Sequence, residues 1–226
     1  MNPLKTSVGT KLDANGNYLP FPGLSIISFV DTTSILHKKL CDIQEIVRNS
    51  KYNSSFSFLP PQSFHMTVFD LLCDQERTEE KWSNLYDQNT EIKEIADDFS
   101  KSFSSLSFPE NMKMKIDGCS DIEITLKLCL TPCDDNYSSL LYDFRNQISK
   151  ITGIRHKNHD NYKFHISLAY LRDKDIDENE FNRFISNYEE LLFSPYKIIS
   201  LNKPEFVYFP NMTSFIPIKK AAKSGL

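Results

Sequence analysis

Two phrases of this chain set a histidine two residues before a hydroxyl side chain, "SFHMTVFDLL" (Ser63 to Leu72) and "KFHISLAYL" (Lys163 to Leu171). Both read Phe, His, apolar, Ser or Thr, apolar, two variable positions, Leu, and the histidines are a hundred residues apart (165 − 65 = 100). Successive side chains of a strand point to opposite faces. Phe64, Met66 and Val68 then form one apolar face, while His65 and Thr67 share the other, about 7 Å apart along the strand. Phe164, Ile166 and Leu168 bury in the same way and leave His165 and Ser167 together. Two such strands facing one another put two imidazoles and two hydroxyls around one cleft. Imidazole titrates near pH 6.5, so one neutral ring can take a proton from water or a ribose hydroxyl while a protonated one donates to a leaving oxygen. Thr67 and Ser167 can hydrogen-bond the non-bridging oxygens where negative charge collects. That is chemistry at phosphorus, and it requires no metal and no cofactor.

Other residues are candidates for the same cleft. Lys163 shares the parity of His165 and Ser167 and is a candidate phosphate ligand. Tyr18, Phe21, Tyr208 and Phe209, with Phe69 on the parity of His65 and Thr67, are candidates for stacking a nucleobase. The loop "GIRHKNHDNY" gathers Arg155, His156, Lys157 and His159, either as a basic lip for an anion or as a polar surface loop. His156 and His159 lack acidic or thiol partners at metal-binding spacing, so no metal site is expected. His37 falls on the polar side of a helix, and Asp70 and Asp74 stand where they can orient neighbours.

The elements that must position these groups read as follows. An arm over residues 1–23, with "GTKLDANGNYLPFPG", is irregular because Gly, Pro and Asn dominate it. "LSIISFV" reads as a buried strand. Leu36, Leu40, Ile43 and Val47 mark a helix capped by Thr33 or Ser34. After the first phrase, residues 74–90 read as a loop with a short helix around Trp82. Ile92, Ile95, Ala96, Phe99 and Phe103 mark a second helix. "MKMKIDGCSDIEITLKLCL" reads as a hairpin turning at "DGCSD", with Ile122, Ile124, Leu126, Leu128 and Leu130 on one face and Glu123, Thr125 and Lys127 on the other. A third helix carries Leu141, Phe144, Ile148 and Ile151 and stops at Gly153. A fourth carries Phe181, Phe184, Tyr188 and Leu191, and short strands at 197–201, 204–209 and 213–218 finish the chain. This is an α+β order in which helices cover antiparallel sheets, with one histidine strand in each half.

The 226 residues, 40% hydrophobic and 25% charged, suit one globular domain over 1–218 and a polar tail, 219–226. Five cysteines without a C-x-x-C argue against disulfides and zinc and point to a reducing compartment, here the cytoplasm. No signal peptide and no 18-residue apolar run is present, so no membrane partner is expected. A net charge of −4 disfavours a stable grip on duplex nucleic acid but admits a small phosphate ligand. The chain is expected to act as a monomer.

The tetrapeptides His65-Met66-Thr67-Val68 and His165-Ile166-Ser167-Leu168 match the two signatures of the 2H phosphoesterase superfamily, the LigT-like and cyclic-phosphodiesterase-like enzymes. The arm and "HMTVFDLLCDQ" further resemble a poorly characterised bacterial and fungal branch of it. The resemblance implies a bilobal fold, two similar αβ lobes meeting at a central cleft that holds both motifs. It implies metal-independent action on 2′,3′-cyclic phosphates or 2′–5′ linkages of small nucleotides or oligonucleotides, with His65 and His165 as the acid–base pair, in an order the sequence leaves open. Two rival readings remain beside it: an RNA-end ligase or processing enzyme, and a nucleotide-binding sensor without turnover.

Overall fold

The alternating and periodic stretches fold into nine strands and four helices within residues 6–119, 125–173 and 175–219, which the computed structural model describes. In chain order these are β1 (Gly23–Phe29), α1 (Ile35–Arg48), β2 (Phe56–Phe58), β3 (His65–Cys73), α2 (Ile92–Phe103), β4 (Met112–Gly118), β5 (Thr125–Pro132), α3 (Asp135–Thr152), β6 (Phe164–Leu171), α4 (Glu178–Phe193), β7 (Ile198–Leu201), β8 (Glu205–Asn211) and β9 (Ser214–Pro217). The strands form one antiparallel sheet in the order β7-β4-β5-β6-β3-β1-β8-β9, with β2 added on β6. The expected α+β fold is present, its two lobes joined where β3 meets β6 at the pair Met66↔Ile166. Both side chains are fully buried. Helices cover the apolar face, and their ends follow local chemistry. The Ser34 hydroxyl accepts from the His37 N–H at the start of α1, and Gly153 ends α3 in the left-handed region at φ 66°.

The hundred-residue echo extends well beyond the two phrases. β1 pairs with β3 through Ser25↔Asp70, Ile26↔Phe69, Ile27↔Thr67 and Phe29↔His65. β5 pairs with β6 through Thr125↔Tyr170, Leu126↔Ala169, Lys127↔Ser167 and Cys129↔His165. Each pair in the second set is the first with a hundred added to both numbers. Both ladders slip at the same place, between Ile26 and Ile27 and between Leu126 and Lys127, so each histidine strand carries one extra residue just after its motif. Such a bulge reverses which face the following side chains take.

The halves differ in what flanks them. β4 precedes β5 and pairs with it, but β1 pairs on that side with β8, from the far end of the chain. The segment ahead of β1, the arm, is left to cross the sheet. Asp13 folds it back by accepting the N–H groups of Asn15 and Asn17. Gly16 turns it at φ 82°, a conformation that favours glycine, and the Ser57 hydroxyl donates to the Gly16 carbonyl. Leu12 is fully buried beneath it, so the arm is an anchored strap.

Several expectations need correction. Leu191 of α4 is 75% exposed, and the buried face of that helix is Phe181, Ile185 and Phe193. Around Trp82 the chain makes turns rather than a helix, with Trp82 buried under the Arg77 guanidinium. His37 is half-buried against the Phe64 ring and the Pro61 carbonyl. Thr125 and Lys127 are buried like Leu126 and Leu128, because the outer face of β5 turns into the cleft. Ile122, Glu123 and Ile124, part of the turn, and most of the tail, residues 220–226, lie outside the described residues.

Candidate active site

A cavity of about 350 Å³ opens where β3 and β6 meet, and His65, Thr67, His165 and Ser167 all line it. Antiparallel running from Met66↔Ile166 sets His65 across from Ser167 and Thr67 across from His165, so each imidazole has a hydroxyl beside it and another opposite. The rings are fixed alike. His65 Nδ1 donates to the Ser63 carbonyl at 2.7 Å and His165 Nδ1 to the Lys163 carbonyl at 2.9 Å, the residue two positions earlier in each case. With Nδ1 carrying the proton, each neutral ring keeps an unprotonated Nε2 for a ligand.

Burial pushes the His65 imidazole down to about 4, opposed by the Ser63 carbonyl and reinforced by His165. The Phe215 ring, with its centroid 4.1 Å from that of His65, supplies much of the apolar wall. His165 is lowered as well, first by burial and further by Lys127, against the Lys163 carbonyl. Burial, with Arg145 next, also takes His159 to about 4. Folded His65 and His159 therefore stay neutral down to about pH 4, while in the unfolded chain they take up protons near 6.5. Between those values the unfolded state binds more protons, so stability present above pH 6.5 is lost as the pH falls toward 4. Thermal unfolding is expected to show Tm falling across this window, with about 1–3 kcal/mol from each group. His65→Gln should flatten the slope, and an unchanged slope would mean that His65 titrates freely in the folded protein.

The bulges decide what else reaches the cavity. Past the slip in β3, Asp70 lines the cavity, while Phe69 is buried behind the sheet against Arg145 and His159. The expectation that Phe69 shares the parity of His65 and Thr67 fails because the extra residue reverses the alternation. Tyr170 takes the equivalent place on β6. Asp70 accepts from the Tyr162 hydroxyl at 3.2 Å, and that hydroxyl is also hydrogen-bonded to Thr67. Burial, with Asp70 next, holds the Tyr162 phenol well above its usual range, so it remains a donor. Tyr170 accepts from the Lys11 ammonium at 3.3 Å, and Lys11 also lies over the Tyr170 ring. Burial disfavours the Lys11 charge, but Tyr170, then Asp70 and Glu76, outweigh it and raise its pKa.

Three lysines line the cavity: Lys11, from the arm, Lys127, paired with Ser167 on β5, and Lys81, whose ammonium is ion-paired with Glu76. Lys163 is exposed and lies outside the lining; its contribution is the carbonyl that holds His165. Of the stacking candidates, Phe21 and Phe209 line the cavity. Tyr18 and Tyr208 do not: the Tyr18 hydroxyl donates to the Ser57 carbonyl, and Tyr208 sits between Leu24 and Ile216 in the sheet. The loop of basic residues divides. His156 lines the cavity and donates from Nε2 to the Asp70 carbonyl, while Arg155 pairs with Asp160, Lys157 with Glu80, and His159 is buried. Sequence reasoning missed Lys11, Lys127, Tyr162 and Tyr170. The one available signal was the offset of a hundred, which carries Asp70 onto Tyr170 and Ser25 onto Thr125, both cavity-lining pairs.

A protein-family model labelled 2H-phosphodiest and described as a domain of unknown function (DUF1868) matches residues 11–125, which include Lys11, Phe21, His65, Thr67 and Asp70. Uncharacterized protein 127L of Invertebrate iridescent virus 6 is 32% identical over 63 residues, 28% of this chain; the match spans only 27% of that relative's length. The crystal structure of ATU0111, a conserved protein of unknown function from Agrobacterium tumefaciens, aligns over 97% of this chain and 94% of that one, with a TM-score of 0.88 at 21% identity. A crystal structure described as a phosphoesterase aligns over 90% of this chain and 98% of its own, with a TM-score of 0.52 at 10% identity. At these identities the two structures speak to the fold alone.

Proposed function

This chain belongs to the 2H-phosphodiesterase family described as a domain of unknown function, and from that premise we propose that it is a metal-independent phosphodiesterase acting on 2′,3′-cyclic phosphates or 2′–5′ linkages of small nucleotides. The observation that carries the reading is the matched pair of imidazoles, each fixed through Nδ1 to a backbone carbonyl and each beside a hydroxyl in one cavity. In opening a cyclic phosphate, one neutral Nε2 takes a proton from water as its oxygen bonds to phosphorus. The other imidazole, protonated, gives its proton to the ribose oxygen whose bond to phosphorus breaks. Both rings are neutral in the ligand-free protein at pH 7, and the negative charge of bound phosphate raises their pKa, which favours protonation of one. Thr67, Ser167 and Lys127 stabilise the non-bridging oxygens, and the Phe21 and Phe209 rings offer faces to a base.

Cavity size and charge favour a small substrate over long RNA. About 350 Å³ suits a single nucleotide, and the net charge of −4 provides little for an extended backbone to follow. The test is turnover and binding in excess EDTA with 2′,3′-cyclic nucleotides, 2′–5′ oligoadenylates, cyclic oligonucleotides and long RNA, turnover being read by chromatography and phosphorus NMR. Cleavage of at least one of the first three, undiminished by EDTA, is expected. Tight binding without turnover would establish the sensor, and activity confined to long RNA would establish the RNA-end enzyme.

A further inference from the structure

The two motif bulges are each held from behind by one buried polar side chain, and the holding is crossed between halves. α1 and α3 present matching buried faces at an offset of 101: Leu40 with Leu141, Ile43 with Phe144, Gln44 with Arg145, Val47 with Ile148. Gln44 and Arg145 are 3% and 2% exposed. Gln44 Nε2 donates to the Leu168 carbonyl at 2.7 Å and to the Leu59 carbonyl at 2.8 Å. Arg145 donates from Nη1 to the Val68 carbonyl and from Nη2 to the His159 carbonyl at 3.1 Å. Val68 and Leu168 directly follow the motif hydroxyls, Thr67 and Ser167. Leu59 and His159 each stand six residues before a motif histidine (65 − 59 = 6; 165 − 159 = 6).

The helix that precedes β3 thus grips β6, and the helix that precedes β6 grips β3. A bulge leaves backbone groups without their ladder partners, and buried carbonyls demand donors. A hydrophobic residue at position 145 would fill the space yet take the side-chain donor from the Val68 and His159 carbonyls, and one at position 44 would take it from the Leu59 and Leu168 carbonyls, leaving Leu168 held by the Leu59 N–H at 2.9 Å alone. Neither side chain lines the cavity, so neither can touch the reacting atoms. The solutions differ in charge: the Arg145 guanidinium lies over the Tyr162 ring at 4.3 Å and the Phe69 ring at 5.3 Å, whereas Gln44 is neutral.

We propose that Gln44 and Arg145 are crossed positioning residues, Gln44 setting the His165–Ser167 strand and Arg145 the His65–Thr67 strand, so that together they fix the separation of the two imidazoles. In its activity readout this rests on the phosphodiesterase reading; in its NMR readout it does not. Two charge-preserving variants test it, Gln44→Met and Arg145→Lys, each ending the bridge between two carbonyls. The side-chain nitrogen signals of His65 and His165 are followed by NMR through a pH titration in the full chain. Gln44→Met is expected to move the titration of His165 by more than that of His65, and Arg145→Lys the reverse. With a substrate in hand, kcat falls about 10- to 100-fold in each while KM stays within about threefold, the consequence of a displacement of the order of 1 Å at the reacting groups. Lower thermal stability with both titrations and kcat unchanged would reduce the pair to structural supports and overturn the proposal. So would perturbation confined to the histidine of the same half. If Arg145→Lys does not fold, Gln44→Met decides through His165 alone. If the wild type turns over nothing while the crossed NMR pattern appears, the phosphodiesterase reading fails and the braces stand.

Discussion

His65→Ala and His165→Ala are each expected to lower kcat by about 10²- to 10⁴-fold, the usual contribution of a positioned general acid or base, with circular dichroism unchanged. The expectation rests on how similarly the two rings are held. Each donates Nδ1–H to a carbonyl two residues earlier, so the cavity receives two equivalent Nε2 positions and no other imidazole so fixed among the described residues that line it. The double variant is expected to lose little more than the worse single one, because two groups that act in one step fail together. The pH profile adds a sharper requirement. kcat/KM reports the ligand-free protein, where both imidazoles are lowered, His65 to about 4. Its bell should therefore centre on the acid side of 6.5, and each alanine variant should lose one limb. A variant keeping more than about a tenth of wild-type kcat, with both limbs intact, would remove that histidine from proton transfer.

Thr67→Val and Ser167→Ala come next in size, at about 10²- to 10³-fold in kcat for each donor removed from an oxyanion site. Their surroundings make the two losses unequal. Ser167 is paired with Lys127 across the ladder, so an ammonium remains near the phosphate when its hydroxyl is gone. Thr67 shares its hydrogen bond with Tyr162, which donates to Asp70. Thr67→Val thus removes a phosphate donor and leaves Tyr162 without one partner in a site whose nearest charge is negative. The greater loss is expected at Thr67. KM should change little in either, since the interaction strengthens as charge develops. Losses below threefold in both would take the hydroxyls out of transition-state stabilisation and leave Lys11 and Lys127 to carry it.

Much of this arrangement was legible in the chain because it depends on short-range alternation. Phe64, Met66, Val68 and their counterparts point inward as period two requires, and the histidine–hydroxyl pairs face the cavity as a result. Alternation stops being informative at a bulge, since one inserted residue reverses every later position and nothing in "VFD" or "LAY" announces it. That is why Phe69 was assigned to the cleft and why Tyr170 went unnoticed. Lys127 was hidden for a different reason. Antiparallel sheets commonly offer one face to water, and only the tertiary meeting of β5 with β6 and β3 turns that face into a cavity wall. Lys11 sits in a glycine- and proline-rich arm whose path depends on β8 holding the sheet position beside β1, a contact nearly two hundred residues away in sequence.

That last feature has a consequence for the order in which the site comes into being on the ribosome. Both histidine strands are complete once β6 has emerged. One apolar wall, Phe209, Met212 and Phe215, belongs to β8, β9 and the turn between them. Until those residues appear, the outer edge of β1 stays bare and open to pairing with the arm ahead of it or with another chain. The end of the arm is unfastened too, because the Phe21 N–H docks on the Pro210 carbonyl, although Gly16 and Tyr18 are already held by Ser57. During synthesis the two motif histidines therefore come together before the wall that buries His65. Non-local closure of this kind is slow compared with local pairing, so the last strands to be translated govern when the imidazoles leave water.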